Sequence, residues 1–187
     1  MITRTRTKGD APSVAVHSDD GRSRYDLVRV WDPAGGRIDF VMLNPSTATE
    51  RANHPTVERC ERRARALNHG AFRVTDIFAW RATDPRDMRA AAEPVGRPEN
   101  DAAIVEAALW ADRVVCAWSA HGAYLGRGAE VERLLRAPGR PLAVLGLLKE
   151  GHPKHPLYIG YAVLPGEWLP GSAPTRPGLS GDVSGNG

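Results

Sequence analysis

Apolar and polar positions alternate with a period of two over Tyr25 to Trp31, and Ile38 to Leu43 is a largely apolar run, which predicts two strands. Between them Asp32-Pro33-Ala34-Gly35-Gly36 has the composition of a turn, so the pair reads as an N-terminal β-hairpin. From Thr56 to His69 the period lengthens. Val57, Cys60, Ala64 and Leu67 recur every three or four residues, with Arg59, Arg62, Arg63 and Arg65 elsewhere on the wheel, the mark of an amphipathic helix. Ala71 to Ala79 is a short β-rich run. Asn100 to Ala111 reads as a helix capped by Asn100 or Asp101, Arg113 to Trp118 as a buried strand, Arg127 to Arg136 as a helix, and Pro141 to Leu147 as an apolar strand. Strands that alternate with helices in this way predict an α/β sandwich with a largely parallel central sheet.

Outside these elements the pattern fades. Met1 to Ser23 is polar without apolar periodicity, and Pro170 to Gly187 is dominated by Gly, Pro and Ser, so residues 1–23 and 170–187 are expected to be disordered tails around a single domain over 24–169. A chain of 187 residues, 42% of them hydrophobic, suits one core. The formal charge of +3 traces to Arg4, Arg6 and Lys8; without them basic and acidic residues are equal at 22 each, so a broad nucleic-acid footprint on the domain is not expected. No stretch approaches the roughly 20 apolar residues of a membrane span, and no signal-peptide core opens the chain, which predicts a cytoplasmic protein without membrane contact. Cys60 and Cys116 lie in apolar contexts and read as structural thiols.

In open sheets of this class the ligand crevice lies beyond the carboxyl ends of the strands, so polar residues that follow apolar strands are the candidates for chemistry. Asn44-Pro45-Ser46-Thr47 offers an amide, two hydroxyls and backbone donors, although the same residues make a good turn and Thr47 with Glu50 fits a capping box. Asp76, Trp80 and Arg81 follow another strand; a buried Asp76 calls for a partner, Arg81 or a backbone donor. Trp118-Ser119-Ala120-His121 places an aromatic ring next to a hydroxyl and an imidazole, a set able to stack on a base and bond its edge. Lys149, His152, Lys154, His155 and Tyr158 lie on a loop stiffened by Pro153 and Pro156, able to meet an anion or developing negative charge. His121, His152 and His155 have no spacing typical of a zinc site, and no phosphate-binding or dinucleotide-binding glycine loop is present, so neither a metal nor a cofactor is expected.

The ordered segments LNPSTA (Leu43 to Ala48), HPTVERC (His54 to Cys60), FAWRATDP (Phe78 to Pro85), PVGRPENDAA (Pro94 to Ala103), AWSAHG (Ala117 to Gly122) and GHPKHPLY (Gly151 to Tyr158) resemble the bacterial domain-of-unknown-function family numbered 1643, over about Tyr25 to Trp168. The chain departs from that pattern where Asn53-His54 replaces an Asp pair, Asp76 an Asn, Ser119 a Gly and Leu148 a Thr. More distantly, Asn44-Pro45 and His155-Pro156 are similar to the two active-site motifs of the uracil-DNA glycosylase superfamily. That resemblance implies a three-layer α/β/α sandwich with a mostly parallel central sheet. In it Asn44 positions the attacking water, His155 hydrogen-bonds the departing base, and Trp80 or Trp118 stacks on the base.

Two functional expectations follow. One is a glycosylase-like enzyme that handles a nucleobase, nucleotide or nucleic acid, with Asn44 and His155 catalytic and Pro45, Ser46, Thr47, Asp76, Trp80, Arg81, Trp118, His121, Lys149, His152 and Tyr158 binding substrate. The alternative is a non-catalytic module that holds a nucleotide or small anion through Lys149, His152, Lys154 and backbone donors. Oligomeric state is not readable from the sequence.

Overall fold

The computed structural model describes residues 1–47 and 55–171. In chain order the elements are β1 (Ile2–Lys8), β2 (Ala11–His17), β3 (Arg24–Val30), β4 (Gly36–Met42), α1 (Pro55–Ala66), β5 (His69–Asp76), α2 (Pro85–Ala90), α3 (Glu99–Trp110), β6 (Arg113–Cys116), α4 (Arg127–Arg136), β7 (Leu142–Val144) and β8 (Gly166–Glu167). Glu50 of the expected capping box, Asn53-His54 and residues 172–187 lie outside the described residues.

The strands form one mixed sheet of eight, in the order β1-β2-β3-β5-β4-β6-β7-β8. Pairing is antiparallel for β1 with β2, β2 with β3, β3 with β5, and β7 with β8; it is parallel for β4 with β5, β4 with β6, and β6 with β7. The sheet is thus mostly antiparallel, which corrects the expectation of a mostly parallel one. Parallel pairing is confined to β5-β4-β6-β7, where helices make the crossovers.

The expected hairpin of β3 with β4 is also corrected, because β5 inserts between them. The turn after β3 crosses the start of β5: Trp31 and Asp32 both donate their backbone N–H to Gly70 O, at 3.0 and 2.9 Å. A Cβ on Gly70 would sit 2.1 Å from Asp32 O, so only glycine admits this crossing. The hairpin that does exist lies where a tail was expected, in β1 and β2, joined by the two-residue turn Gly9-Asp10.

Alternation along the strands sends apolar side chains to both faces. Ile38, Phe40 and Met42 of β4 pack with Val57, Cys60 and Ala64 of α1 on one face. Val41, Val114 and Cys116 pack with Ile104 of α3 and Val131 and Leu135 of α4 on the other. Both cysteines are free and buried, and burial pushes their thiols up. No described helix is long and apolar enough to cross a membrane.

These faces define a crevice. The chain leaves β4 through α1 toward β5 and leaves β6 through α4 toward β7, on opposite faces of the sheet. Neighbouring strands whose connections diverge leave a gap at their carboxyl ends, the usual place for a ligand in α/β sheets.

Candidate functional site

At that gap lies a cavity of about 350 Å³, lined by residues from all the strand-end segments, including Asn44, Asp76, Trp118, His121, His155 and Tyr158. Its size falls within the roughly 300–1,000 Å³ of small-molecule sites. Pro45 and Ser46 line it with Asn44, and Thr47 touches its wall through Thr83, whose Oγ1 is 2.8 Å from Thr47 Oγ1.

Asn44 follows β4 directly. Its Nδ2 donates to Ala82 O at 2.8 Å and to Pro45 O at 3.1 Å. Three carbonyls surround that nitrogen, counting Trp80 O at 3.5 Å, and carbonyls only accept, so the amide orientation is fixed. The side-chain oxygen is therefore the atom Asn44 has left to offer, as an acceptor.

His155 reaches the cavity from the loop after β7. The loop is folded by Lys154 N donating to Gly146 O at 2.9 Å and Leu148 N to His152 O at 2.8 Å, and Ser119 N ties it to β6 by donating to Pro153 O at 2.8 Å. Pro156–Tyr158 then forms a short 3₁₀ turn that His155 caps: Nδ1 accepts from Leu157 N at 3.3 Å. An Nδ1 that accepts leaves the neutral ring's proton on Nε2. Two arginines of α1 hold this turn from below. Arg59 donates to Pro156 O at 3.1 Å and Ile159 O at 3.2 Å, and the buried Arg63 donates to Ile159 O at 3.1 Å, Gly160 O at 2.9 Å and Val163 O. Of the four arginines of α1, Arg59 and Arg63 are thus spent inward, while Arg62 pairs on the surface with Glu58, and Arg65 with Asp10 and Glu61.

Asp76 ends β5 with only 2% of its side chain exposed. Its partner is neither Arg81 nor a backbone donor: Arg24, the first residue of β3, places Nη2 2.8 Å from Asp76 Oδ2. Burial raises the Asp76 carboxyl above the usual range, and Arg24 opposes the rise. Both residues line the cavity. Behind them, buried Asn100 donates to Asp76 O at 3.0 Å, a tie in place of the helix cap expected at that residue; Pro98 occupies the cap of α3.

Trp118 lines the cavity but is only 1% exposed, with its ring against Trp168 at 5.7 Å between centroids. Cβ atoms built on Gly122 and Gly128 would fall within 2.1 and 2.7 Å of that ring. Trp118 is therefore a core side chain with no open face for stacking. The exposed aromatic at the cavity is Tyr158, 83% exposed, its ring 6.0 Å from that of His155. His121, also exposed, accepts on Nδ1 from Arg89 Nη2 at 2.9 Å, since a guanidinium can only donate.

Besides Thr47, four expected residues do not line the cavity. Trp80 packs against the core and under Arg22, Arg81 donates to Gly21 O at 3.0 Å, and Lys149 and His152 remain on the outer part of their loop. Only Ala82, Thr83 and Pro85 of the FAWRATDP segment reach the wall. Among the described residues no group of three His, Cys, Asp or Glu side chains could hold a metal ion.

Sequence reasoning passed over one participant and the backbone role of another. Arg24 sits at the polar edge of a strand with no motif around it, and only the pairing of β3 with β5 brings it to Asp76. Ser119 adopts φ 63° and ψ −174°, a conformation natural to glycine, and the glycine of the resembled pattern at that position was the available signal.

Among known proteins, the family model described as "Protein of unknown function (DUF1643)" matches residues 24–157. No curated protein and no solved structure matches the chain. The matched span begins at Arg24 and ends at Leu157, so it contains every cavity-lining residue except Tyr158. The chain belongs to the DUF1643 family of proteins of unknown function.

Proposed function

We propose that the cavity between the ends of β4 and β6 hydrolyses an N-glycosidic bond, with a nucleobase as the leaving group. The observation that carries this reading is the convergence of Asn44 and His155, 111 residues apart in sequence, on one cavity with opposite polarity. Asn44 offers an oriented acceptor and His155 an Nε2–H donor.

The acceptor suits a water: Asn44 Oδ1 takes a hydrogen bond from it and aims its lone pair at the sugar's anomeric carbon. The new C–O bond forms as the C–N bond breaks. The electron pair goes to the base nitrogen, and the water's proton ends on the base after passage through solvent. Products are the free base and the sugar hydroxyl. His155 Nε2–H stabilises the negative charge that develops on the departing base. Tyr158 takes the stacking role at the mouth. A uracil-DNA-glycosylase-like layering belongs to this proposal, supported by the parallel core β5-β4-β6-β7 with helices on both faces.

Lys149 and His152 stand outside the cavity, and Arg24, the cation on its wall, is already matched by Asp76, which weighs against the anion-binding module. The inward use of Arg59 and Arg63, and the pairing of Arg62 and Arg65 with carboxylates, favour a nucleoside or single-stranded substrate over a duplex.

The test is base release from nucleosides and from single- and double-stranded oligonucleotides bearing uracil or hypoxanthine. Release abolished in both Asn44→Ala and His155→Ala supports the reading. Release from none of these substrates overturns it.

A further inference from the structure

A second cavity, of about 530 Å³, lies on the other side of β3, between the N-terminal hairpin and α3. It exists because α3 presents Ala102 and Ala103 where Val16 of β2 approaches, side chains too small to close the space. Tyr25 completes the apolar wall.

Charge in this cavity is unbalanced. Asp26, Glu99 and Glu106 face a single guanidinium, Arg73, whose Nη2 is shared between Asp26 Oδ2 at 3.0 Å and Glu106 Oε1 at 3.2 Å. The terminal ammonium of Met1, at the rim, is already neutralised by Asp19 at 2.5 Å. Two carboxylates remain beyond the one that Arg73 balances; burial raises the Asp26 carboxyl, and Arg73 opposes the rise. Asp26 is 10% exposed, and its Oδ1 is buried without a hydrogen-bond partner, as is Arg73 Nε. The Tyr25 phenol is raised by burial and then by Glu99, Asp20 and Asp19, a second sign of excess negative charge here.

We propose that this cavity binds a small aliphatic diamine. Each ammonium brings three hydrogen-bond donors to a cavity where three carboxylates share one guanidinium, the methylenes cover the alanine and valine wall, and Tyr25 offers a ring to one cation. Two ammonium groups match the two carboxyl groups in excess over Arg73. A divalent metal ion suits the cavity poorly: it needs six or so oxygen ligands, and among the described residues no acidic or histidine triad converges to supply them.

The experiment is isothermal titration of the full chain with putrescine, with n-butylamine and magnesium chloride as controls for the second charge and for screening. Expected are a Kd below about 1 mM for putrescine, binding at least about tenfold weaker for n-butylamine, and no competition by magnesium. Glu99→Gln and Glu106→Gln each weaken binding about tenfold, and Ala103→Leu, which fills the space with an apolar side chain, abolishes it at an unchanged or raised melting temperature. No heat with putrescine, equal competition by magnesium, or undiminished binding by Ala103→Leu overturns the proposal.

Discussion

Arg24 and Asp76 meet at 2.8 Å, the first residue of β3 bound to the last residue of β5 on the wall of the main cavity. The two side chains are 12% and 2% exposed, so each charge relies on the other far more than on bulk water. Removing the cation alone strands the carboxylate: Arg24→Ala is expected to cost about 3 kcal/mol. Asp76→Asn keeps the shape and an acceptor for Arg24, and should cost nearer 1 kcal/mol. Urea unfolding of both variants checks this order, and equal losses would contradict it.

Asp39 makes stability depend on pH. It is fully buried on β4, with the Thr75 hydroxyl 3.3 Å away, and burial, then the proximity of Asp26, pushes its carboxyl up to about 7. Unfolded, it titrates near 3.8. The folded state therefore keeps a proton that the unfolded chain releases. The stabilising contribution is fully present below pH 3.8 and is lost as pH rises through about 7. Asp39→Asn should match the wild type at pH 3.5 and exceed it by ~4 kcal/mol at pH 8. Denaturant midpoints across that range test the prediction.

Ser119 carries backbone strain at the end of β6, with φ 63° and ψ −174°. Ser119→Gly relieves it and is expected to stabilise the fold by roughly 1 kcal/mol, net of the extra freedom glycine gains when unfolded. Ser119→Val should destabilise. Thermal melts of the two variants should move in opposite directions.

Arg63 serves three carbonyls of the segment that follows His155. Arg63→Met retains the buried stem but removes the donors. We expect a loss of about 2 kcal/mol, with faster amide exchange concentrated between Pro156 and Val163. Exchange that rises uniformly over the chain would show that Arg63 does not act through this segment.

Local elements were legible in the sequence because each has one face in a core. α4 begins and ends where Val131 and Leu135 set its period, and β4 alternates Ile38, Phe40 and Met42 toward α1. Pairing was not legible. Asp32 to Gly36 has the composition of a hairpin turn, and nothing local in it reports that Gly70 crosses beneath. β1 escaped because apolar periodicity cannot reveal a strand exposed on both faces; Gly9-Asp10, with Gly9 at φ 58°, was the turn signal available. At the cavity, motifs pointed to Asn44 and His155, while Arg24 and the inward use of Arg63 depend on contacts across 52 and about 100 residues. Trp118 misled for a physical reason: a large aromatic after a strand suits a core and a binding face equally well, and Gly122 and Gly128 decide for the core.

The N-terminal hairpin has a consequence for handling the protein. Residues Ser13 to His17 of β2 hydrogen-bond the length of β3, and Asp10 fastens the hairpin to α1 through both terminal nitrogens of Arg65, at 3.0 and 2.7 Å. A chain trimmed to the family-matched span would start at Arg24 and turn β3 from an interior strand into an open edge bearing Tyr25, Leu27 and Val28. Exposed backbone donors and acceptors beside apolar side chains recruit further strands. Such a fragment should run on a sizing column as concentration-dependent oligomers, which makes the first seventeen residues a shield against self-assembly.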